Sequence, residues 1–232
     1  LYLVARANAG IIVQRWTGSG WQRLATNDPG WADSNGWADV TNYSTIQALD
    51  VGGDLHLVAR ANAGMIVQRW TGSSWQRLST NDPRWADDNG WSDVTNYSTI
   101  QAVDVGGDLH LIARANRGII VERWTGSGWQ RLATNDPRWA DDNGWSDVTN
   151  YSTIQALDVG GELYLVARAN AGMIVQRWTN GGWQRLATND PRWADDNGWA
   201  DVTNYSTIRA FEHDGTLHLM ARANAGIYLL RY

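Results

Sequence analysis

The stretch LYLVARANAGIIVQRW, Leu1 to Trp16, decides the fold of this chain because close copies of it return at a fixed spacing. The copies begin 54 residues apart, at Leu1, Leu55, Leu109, Leu163 and Leu217. The segments between them repeat as well, so the 232 residues consist of four 54-residue units and a partial copy, Leu217–Tyr232. A fixed period of this length is typical of repeat architectures, in which each unit buries its apolar face against its neighbours. We therefore expect residues 1–232 to form a single repeat domain.

Each unit predicts four short β-strands joined by tight turns. In one unit, β-branched residues and alternating polarity predict strands over Thr45–Val51, Asp54–Ala61, Met65–Trp70 and Trp75–Thr80. The first turn contains Gly52-Gly53, which tolerates positive φ. Three tight turns in succession require an antiparallel meander, because parallel neighbours need a long crossover. No stretch shows a sustained 3.6-residue period, so we expect helix to be nearly absent.

A polar link, Asn81–Asn96, follows the fourth strand of this unit and is rich in Asn, Asp, Gly and Pro. Four short strands followed by a longer link are typical of a β-propeller blade. Four complete blades need 16 strands and five need 20, whereas the repeat supplies 18. We expect an all-β propeller of five blade-like units with one incomplete, its terminal copies lying close together. A four-bladed ring with an extra hairpin and a ring completed by a second chain are the alternatives.

Composition excludes several classes of function. No cysteine occurs, so disulfides and thiolate metal sites are excluded. The net charge of −5 argues against a nucleic-acid partner. No run of 18 apolar residues is present, so we expect no membrane insertion. No cofactor is expected. The composition leaves the compartment open, with a secreted or cell-surface-directed protein favoured.

The arrangement of short strands around GW, LHLVAR and the following G and W resembles the β-propeller lectins, in particular tachylectin-2 and the tectonin-type lectins. The resemblance extends over the whole chain at the level of pattern. It implies a propeller that binds sugars at several equivalent sites.

Two sets of Trp residues recur. One set flanks hairpin turns, as Trp70 and Trp75 do, and we expect these rings to pack between blades. The other set lies in the polar links, beside Asp and Asn. An aromatic ring offers an apolar face to a sugar, while carboxylates and amides bind hydroxyl groups. The predicted sugar-binding residues are Trp31, Asp33, Asn35, Trp37, Trp85, Asp87, Asn89, Trp91, Trp139, Asp141, Asn143, Trp145, Trp193, Asp195, Asn197 and Trp199. The alternative is that these Trp residues anchor the links.

Two further kinds of ligand site have partial matches in the sequence, a calcium site and a site for an acidic glycan. The phrase WADDNGWSD matches part of a calcium-binding loop, but Trp85 stands where the first ligand belongs and no Glu closes the loop, so we predict no metal site. The arginines of the repeated phrase ARAN are an alternative site for an acidic glycan, or pair with Asp between blades. They are Arg6, Arg60, Arg114, Arg168 and Arg222.

The repetition of every carboxylate argues against catalysis, because a hydrolase needs a differentiated pair or triad of groups. His56, His110 and His218 share one repeat position, which is Tyr in two other units, so they are poor candidates for a base. We predict that the protein is not an enzyme but a multivalent lectin with one shallow site per repeat. Its expected partners are glycans, with homo-oligomer formation left open. The alternatives are an adhesive or designed scaffold without a ligand and a glycosidase-type enzyme.

Overall fold

The computed structural model describes residues 1–7, 10–25, 40–61, 65–79, 94–115, 118–133, 148–169, 172–179, 182–187, 204–223 and 226–232. All regular elements in these residues are β-strands. Consequently, this part of the chain has no helix with the length and apolar character needed to cross a membrane. The chain divides into two compact units, Leu1–Ser92 and Asp93–Tyr232, here called unit 1 and unit 2.

Unit 1 contains two antiparallel sheets. Sheet 1 has the order β1-β2-β3, with β1 at Tyr2–Ala7, β2 at Gly10–Trp16 and β3 at Trp21–Ala25. Sheet 2 has the order β4-β5-β6-β7, with strands at Val40–Val51, Asp54–Ala61, Met65–Trp70 and Trp75–Ser79.

Unit 2 contains three antiparallel sheets in which strands again pair in chain order. Sheet 3 consists of β8 to β11, at Val94–Val105, Asp108–Ala115, Gly118–Trp124 and Trp129–Ala133. Sheet 4 consists of β12 to β15, at Val148–Val159, Glu162–Ala169, Gly172–Thr179 and Gly182–Ala187. Sheet 5 consists of β16 to β18, at Asn204–His213, Thr216–Ala223 and Gly226–Arg231.

The predicted all-β fold of blade-like antiparallel sheets is confirmed, and the described residues contain the 18 strands expected from the repeat. Five complete four-stranded sheets would need two more strands, and two different sheets each lack one of them. Sheet 1 lacks a counterpart of β4 and sheet 5 a counterpart of β7 in this part of the chain, so two sheets are incomplete rather than one. Closure of a ring and a single domain over residues 1–232 stay predictions.

The first strand of each complete sheet begins earlier than predicted. β8 starts at Val94, inside the predicted link Asn81–Asn96, and β4 starts at Val40. Each of these strands is 12 residues long and has an irregular register, as between Asn96 and Gln101. Val, Thr, Tyr and Ile favour extended backbone, and an irregular register lets a strand continue past a break in the ladder. The link is therefore shorter than the polar composition indicated.

The turn between the first two strands of sheets 2, 3 and 4 follows from its Gly-Gly pair. Gly52 and Gly53 have φ of 59° and 93°, the positive values that both central residues of a type I′ hairpin require. The Asp50 carboxylate accepts a hydrogen bond from the Gly53 amide at 2.9 Å and closes the turn. This confirms the predicted Gly52-Gly53 hairpin.

Within each unit, consecutive sheets pack face to face, and sheet 4 shows the rule most clearly because it is buried on both sides. Along β13, Leu163, Leu165 and Ala167 pack against sheet 3, whereas Tyr164 and Val166 pack against sheet 5. Alternate residues of a strand point to opposite faces, so a strand between two neighbours must be apolar at nearly every position. The repeated LHLVA or LYLVA sequence meets that requirement.

The hairpin Trp residues of sheets 2 and 4 join these sheets to the preceding ones, as predicted. In unit 1, Trp70 and Trp75 pack against the cluster that sheets 1 and 2 form together, and the Trp75 indole donates to the Leu24 carbonyl at 3.0 Å. The same bond recurs in unit 2, where Trp183 donates to the Leu132 carbonyl at 2.9 Å. A buried indole N–H needs an acceptor, and the neighbouring sheet supplies it.

A glutamine amide ties the first strands of neighbouring sheets together. The Gln155 side chain accepts a hydrogen bond from the Ala210 amide at 2.8 Å and donates to the Ile208 carbonyl at 3.0 Å. Gln101 makes the same pair of bonds one sheet earlier, to the Ala156 amide and the Ile154 carbonyl. The Gln amide thus pairs with a backbone N–H and a backbone C=O of the next sheet, as a neighbouring strand would.

One buried ionisable residue departs from the repeat. Glu122 is fully buried, while the equivalent positions hold Gln14, Gln68 and Gln176. Within the described residues neither of its carboxylate oxygens accepts a hydrogen bond, and the Arg131 Nε lies 3.8 Å away. Burial raises the pKa of Glu122 to about 8, although the nearby Arg131 charge acts in the opposite direction.

We expect Gln155→Ala to destabilise the protein by about 1–3 kcal/mol, because it leaves a partly buried amide and carbonyl without their partner. Urea unfolding measures the change. The matched control is Gln184→Ala, which removes an exposed amide bonded only to Arg177 among the described contacts and should cost less than about 0.5 kcal/mol. Equal destabilisation by the two substitutions would contradict the role of Gln155.

We expect Glu122→Gln to stabilise the protein more at pH 8 than at pH 5. Between the ordinary pKa of 4.5 and about 8, folded Glu122 keeps a proton that the unfolded chain releases. Wild-type stability therefore falls as the pH rises through this window and levels off above it. At pH 8 the gain should be on the order of a few kcal/mol. Urea unfolding at both pH values tests this, and a gain that does not change with pH would show that Glu122 is ionised throughout.

Candidate functional site

A polar cavity of about 170 Å³ lies between sheets 3 and 4 of unit 2. Sheet 3 contributes the end of β8, the following turn, the start of β9 and the end of β10. Sheet 4 contributes the turn before β13, the start of β13 and the end of β14. The lining residues are Val105, Gly106, Asp108, His110 and Arg123 from sheet 3, and Gly161, Glu162, Leu163, Trp178 and Thr179 from sheet 4. We call this space the sheet 3–4 cavity.

His110 is almost fully buried in the wall of the sheet 3–4 cavity, with 3% of its surface exposed. Its Nδ1 lies 3.0 Å from the Asp108 carbonyl oxygen. A carbonyl oxygen only accepts, so Nδ1 carries the proton and Nε2 is left as the acceptor of the neutral ring. Burial lowers the pKa of His110, which keeps the imidazole neutral at pH 7.

The charged groups of the cavity are held in cross-strand pairs. Arg123 Nη1 lies 3.9 Å from the Asp108 carboxylate, and Arg123 Nη2 donates to Gln130 at 2.7 Å. On the opposite wall, Arg177 Nη1 lies 3.3 Å from the Glu162 carboxylate. The carboxylate side chains remain 49% and 41% exposed, so each sheet presents one solvent-accessible acceptor group.

The two turns at the cavity edge are joined by one carboxylate. Asp158 accepts from the Gly161 amide at 2.7 Å, within its own turn, and from the Gly106 amide of sheet 3 at 3.4 Å. Gly106 has a φ of 60°, which a residue with a Cβ adopts less readily. These bonds fix the spacing between the carboxylates on the two walls.

Trp178 supplies the apolar wall of the cavity. Its ring packs against the core cluster of sheets 3 and 4 and meets the Trp183 ring edge to face, with centroids 5.2 Å apart. Because Trp183 is itself bonded to the preceding sheet, the Trp178 ring is held firmly. An aromatic face opposite carboxylates, a guanidinium and an imidazole can bind a ligand that has both C–H faces and hydroxyl groups.

Parts of this arrangement recur in other sheets. In sheet 2, His56 Nδ1 lies 3.0 Å from the Asp54 carbonyl, and Arg69 lies 3.8 Å from the Asp54 carboxylate. In sheet 4 the His position is Tyr164, whose side chain hydrogen-bonds to Arg177 and raises the pKa of that guanidinium. His and Tyr therefore play different parts at one repeat position.

The sequence-based site prediction is not tested by these residues. The predicted loop Trp, Asp and Asn residues fall in residues 26–39, 80–93, 134–147 and 188–203, outside the described residues. The side chains of the ARAN arginines are likewise outside the described residues. In the described part of the chain, no group of three His, Asp or Glu residues could hold a metal ion.

The residues that line the sheet 3–4 cavity are not among the site residues predicted from the sequence. The sequence predicts that His110 is a poor base because its repeat position also holds Tyr, yet the structure places His110 in the cavity wall. The available signal was a charged residue directly after each of the three Gly-Gly turns, followed two positions later by His in two of them. A hairpin between packed sheets brings those residues to the edge of the sheet-to-sheet contact.

Comparison with known proteins places the chain by fold only. No family model and no curated protein matches it. Among solved structures it is similar to the polysaccharide lyase Uly1, with a TM-score of 0.51 and 13% identity over 99% of this chain. It covers 55% of the lyase chain, about half its length. A second match is an endo-arabinase from Bacteroides thetaiotaomicron, with a TM-score of 0.31, 13% identity and coverage of 99% of this chain and 87% of that one.

The prediction that this protein is not an enzyme is wrong in its premise. It rested on the repetition of every carboxylate and on the exchange of His for Tyr at one repeat position, whereas the fold matched over 99% of this chain is that of a polysaccharide lyase. The resemblance to tachylectin-2 and the tectonin-type lectins stays a prediction. The chain is similar in fold to a structure of a carbohydrate-active protein.

Proposed function

We propose that this protein binds glycans and that the sheet 3–4 cavity holds one sugar residue. The observation that supports the proposal is that the Trp178 ring and the Asp108 and Glu162 carboxylates line one cavity. The ring stacks on the C–H face of a sugar, and the carboxylates accept hydrogen bonds from its hydroxyl groups. At about 170 Å³ the cavity is smaller than the roughly 300–1,000 Å³ of drug-sized sites, which suits a single sugar ring.

The finer form of the proposal is a multivalent lectin. The Asp–His–Arg arrangement of sheet 2 repeats that of sheet 3, which supports more than one site in the chain. Several weak sites that engage one glycan-bearing surface raise the apparent affinity by about 10² to 10⁴ without any new contact. The link residues predicted from the sequence, such as Trp85 and Asp87, are proposed as further contacts in the same repeats.

A second candidate function is cleavage of an acidic glycan, and the state of His110 favours it. A neutral imidazole with Nε2 free of a proton can act as a general base, and Arg123 in the same cavity can stabilise a sugar carboxylate. In such an elimination, Nε2 removes the proton from the carbon next to the carboxylate. The electron pair forms a carbon–carbon double bond while the glycosidic carbon–oxygen bond breaks, and the departing oxygen takes a proton from water. The fold shared with a polysaccharide lyase supports this candidate at the level of scaffold.

We expect His110→Tyr to remove one glycan site while the fold is kept. Tyr164 occupies the equivalent position in sheet 4 and is 8% exposed, so the fold accommodates the larger ring, which fills the sheet 3–4 cavity. A glycan array identifies the ligand, and titration calorimetry with it should show the number of sites falling by one. The control His213→Tyr makes the same change at an exposed residue and should leave that number unchanged. An unchanged number in His110→Tyr would move the site to the links, where Trp85→Ala is the corresponding variant.

For the cleavage candidate, we expect His110→Gln to slow the release of unsaturated products from acidic polysaccharides by about 10² to 10⁴, the usual contribution of a general base. Ultraviolet absorbance of the new double bond follows the reaction. Because the pKa of His110 is lowered, the wild-type rate should hold as the pH falls below 6.5. The control His213→Gln should react at the wild-type rate. No product from any acidic polysaccharide with the wild-type protein, or an equal rate in His110→Gln, would exclude His110 as the base.

A further inference from the structure

Sheet 1 exposes an apolar face. Leu1 and Leu3 of the β1 segment are 80% and 52% exposed, and Trp16 and Trp21, at the β2–β3 hairpin, are 42% and 43% exposed. The two leucines are two residues apart on a strand and therefore share a face. We call these four residues the sheet 1 face. An exposed cluster of large apolar side chains is typical of an interaction surface.

The repeat shows what such a face packs against. The equivalents of the two leucines in sheet 2 are Leu55 and Leu57, which are 4% and 0% exposed. They are buried against Ile11, Val13 and Leu24 of sheet 1. Trp70 and Trp75, the equivalents of the two Trp residues, pack in the same cluster. The sheet 1 face is thus equivalent to the side of sheet 2 that packs against the preceding sheet, sheet 1.

Sheet 5 exposes the complementary side. Met220 and Leu229 are 37% and 59% exposed, and Phe211 and Ile227 are 39% and 73% exposed. In sheet 4 the equivalents of Met220 and Leu229 are Val166 and Val175, both fully buried against sheet 5. We call these four exposed residues the sheet 5 face. The equivalent side of sheet 4 packs against sheet 5.

We propose that the sheet 5 face of one copy of this chain binds the sheet 1 face of a second copy, head to tail. The contact would continue the packing that joins sheets 1 and 2 in unit 1 and sheets 3, 4 and 5 in unit 2. A second copy is the partner that fits. The four residues of the sheet 1 face are identical to their equivalents in sheet 2, and the four residues of the sheet 5 face differ from their equivalents in sheet 4 but are apolar like them. The two surfaces differ, so the contact is heterologous rather than two-fold symmetric.

The contact uses only the apolar part of the internal interface. The amide bridge of the Gln155 type needs a first strand in the following sheet, and the Trp-to-carbonyl bond of the Trp183 type needs a fourth strand in the preceding one. Among the described residues, sheet 1 has no such first strand and sheet 5 no such fourth strand. Association between copies should therefore be weaker than the packing within a unit and should depend on concentration. This proposal is independent of glycan binding.

The test is a complementation experiment with two variants of the full chain. Leu3→Asp places a charge on the sheet 1 face, and Leu229→Asp places one on the sheet 5 face. Both positions are more than half exposed, so the fold should be kept, as circular dichroism would verify. Analytical ultracentrifugation over the micromolar to millimolar range should show the wild type assembling beyond the monomer and each variant alone remaining monomeric. An equimolar mixture of the two variants should form a 1:1 complex, because each supplies the face that the other has lost.

Three results would overturn the proposal. A wild-type chain that stays monomeric over the whole range would show that the two faces do not bind each other between copies. Self-association of either variant alone would indicate a symmetric contact through a single face. Failure of the mixture to form a 1:1 complex, with both variants folded, would show that the wild type assembles through other surfaces.

Discussion

The sheets of this protein are apolar on both faces, and this constraint determines how the chain is arranged. A strand such as β13 buries one set of residues against the sheet before it and the alternate set against the sheet after it. No single sheet of this kind can be stable in water alone, since burying one face leaves the other exposed. Gln155 and Trp183 add directional bonds to this packing, because each links a side chain of one sheet to the backbone of its neighbour.

The candidate site follows from where that packing ends. Away from the turns, the buried cluster between sheets 3 and 4 consists of Val, Ile, Leu and Ala side chains. The side chains of Gln101 and Trp183 add hydrogen bonds across the same contact. At the turn edge, Asp108 and Glu162 follow Gly-Gly hairpins, and paired arginines share the edge with them. The sheets are held at a fixed distance by the core, so the polar groups at its edge face each other across a defined space. The site is in this sense a product of the packing rather than of a separate loop.

Much of the fold could be predicted from the sequence because its determinants are local. Gly52-Gly53 requires a hairpin, and the alternating residues of DLHLVARA predict a strand. The start of β8 at Val94 could not be predicted, because a polar neighbourhood masks β-forming residues that pair through an irregular register. The place of His110 in the cavity wall was not predicted, because the exchange of His for Tyr at its repeat position argued against a function, whereas His110 and Tyr164 have different partners. The burial of Glu122 in place of Gln was equally invisible, since a single substitution among near-identical units carries no sign of its environment.

Hydrogen–deuterium exchange with and without a bound oligosaccharide tests the central claim most directly, because it reads the cavity edge and the links in one experiment. If a sugar occupies the sheet 3–4 cavity, backbone amides of the two turns should exchange more slowly on binding, in peptides that cover residues 104–110 and 160–163. The Gly106 and Gly161 amides lie in these turns. Slower exchange confined to residues 80–93 and the equivalent links, with the turns unchanged, would contradict a site built by the packing of sheets 3 and 4.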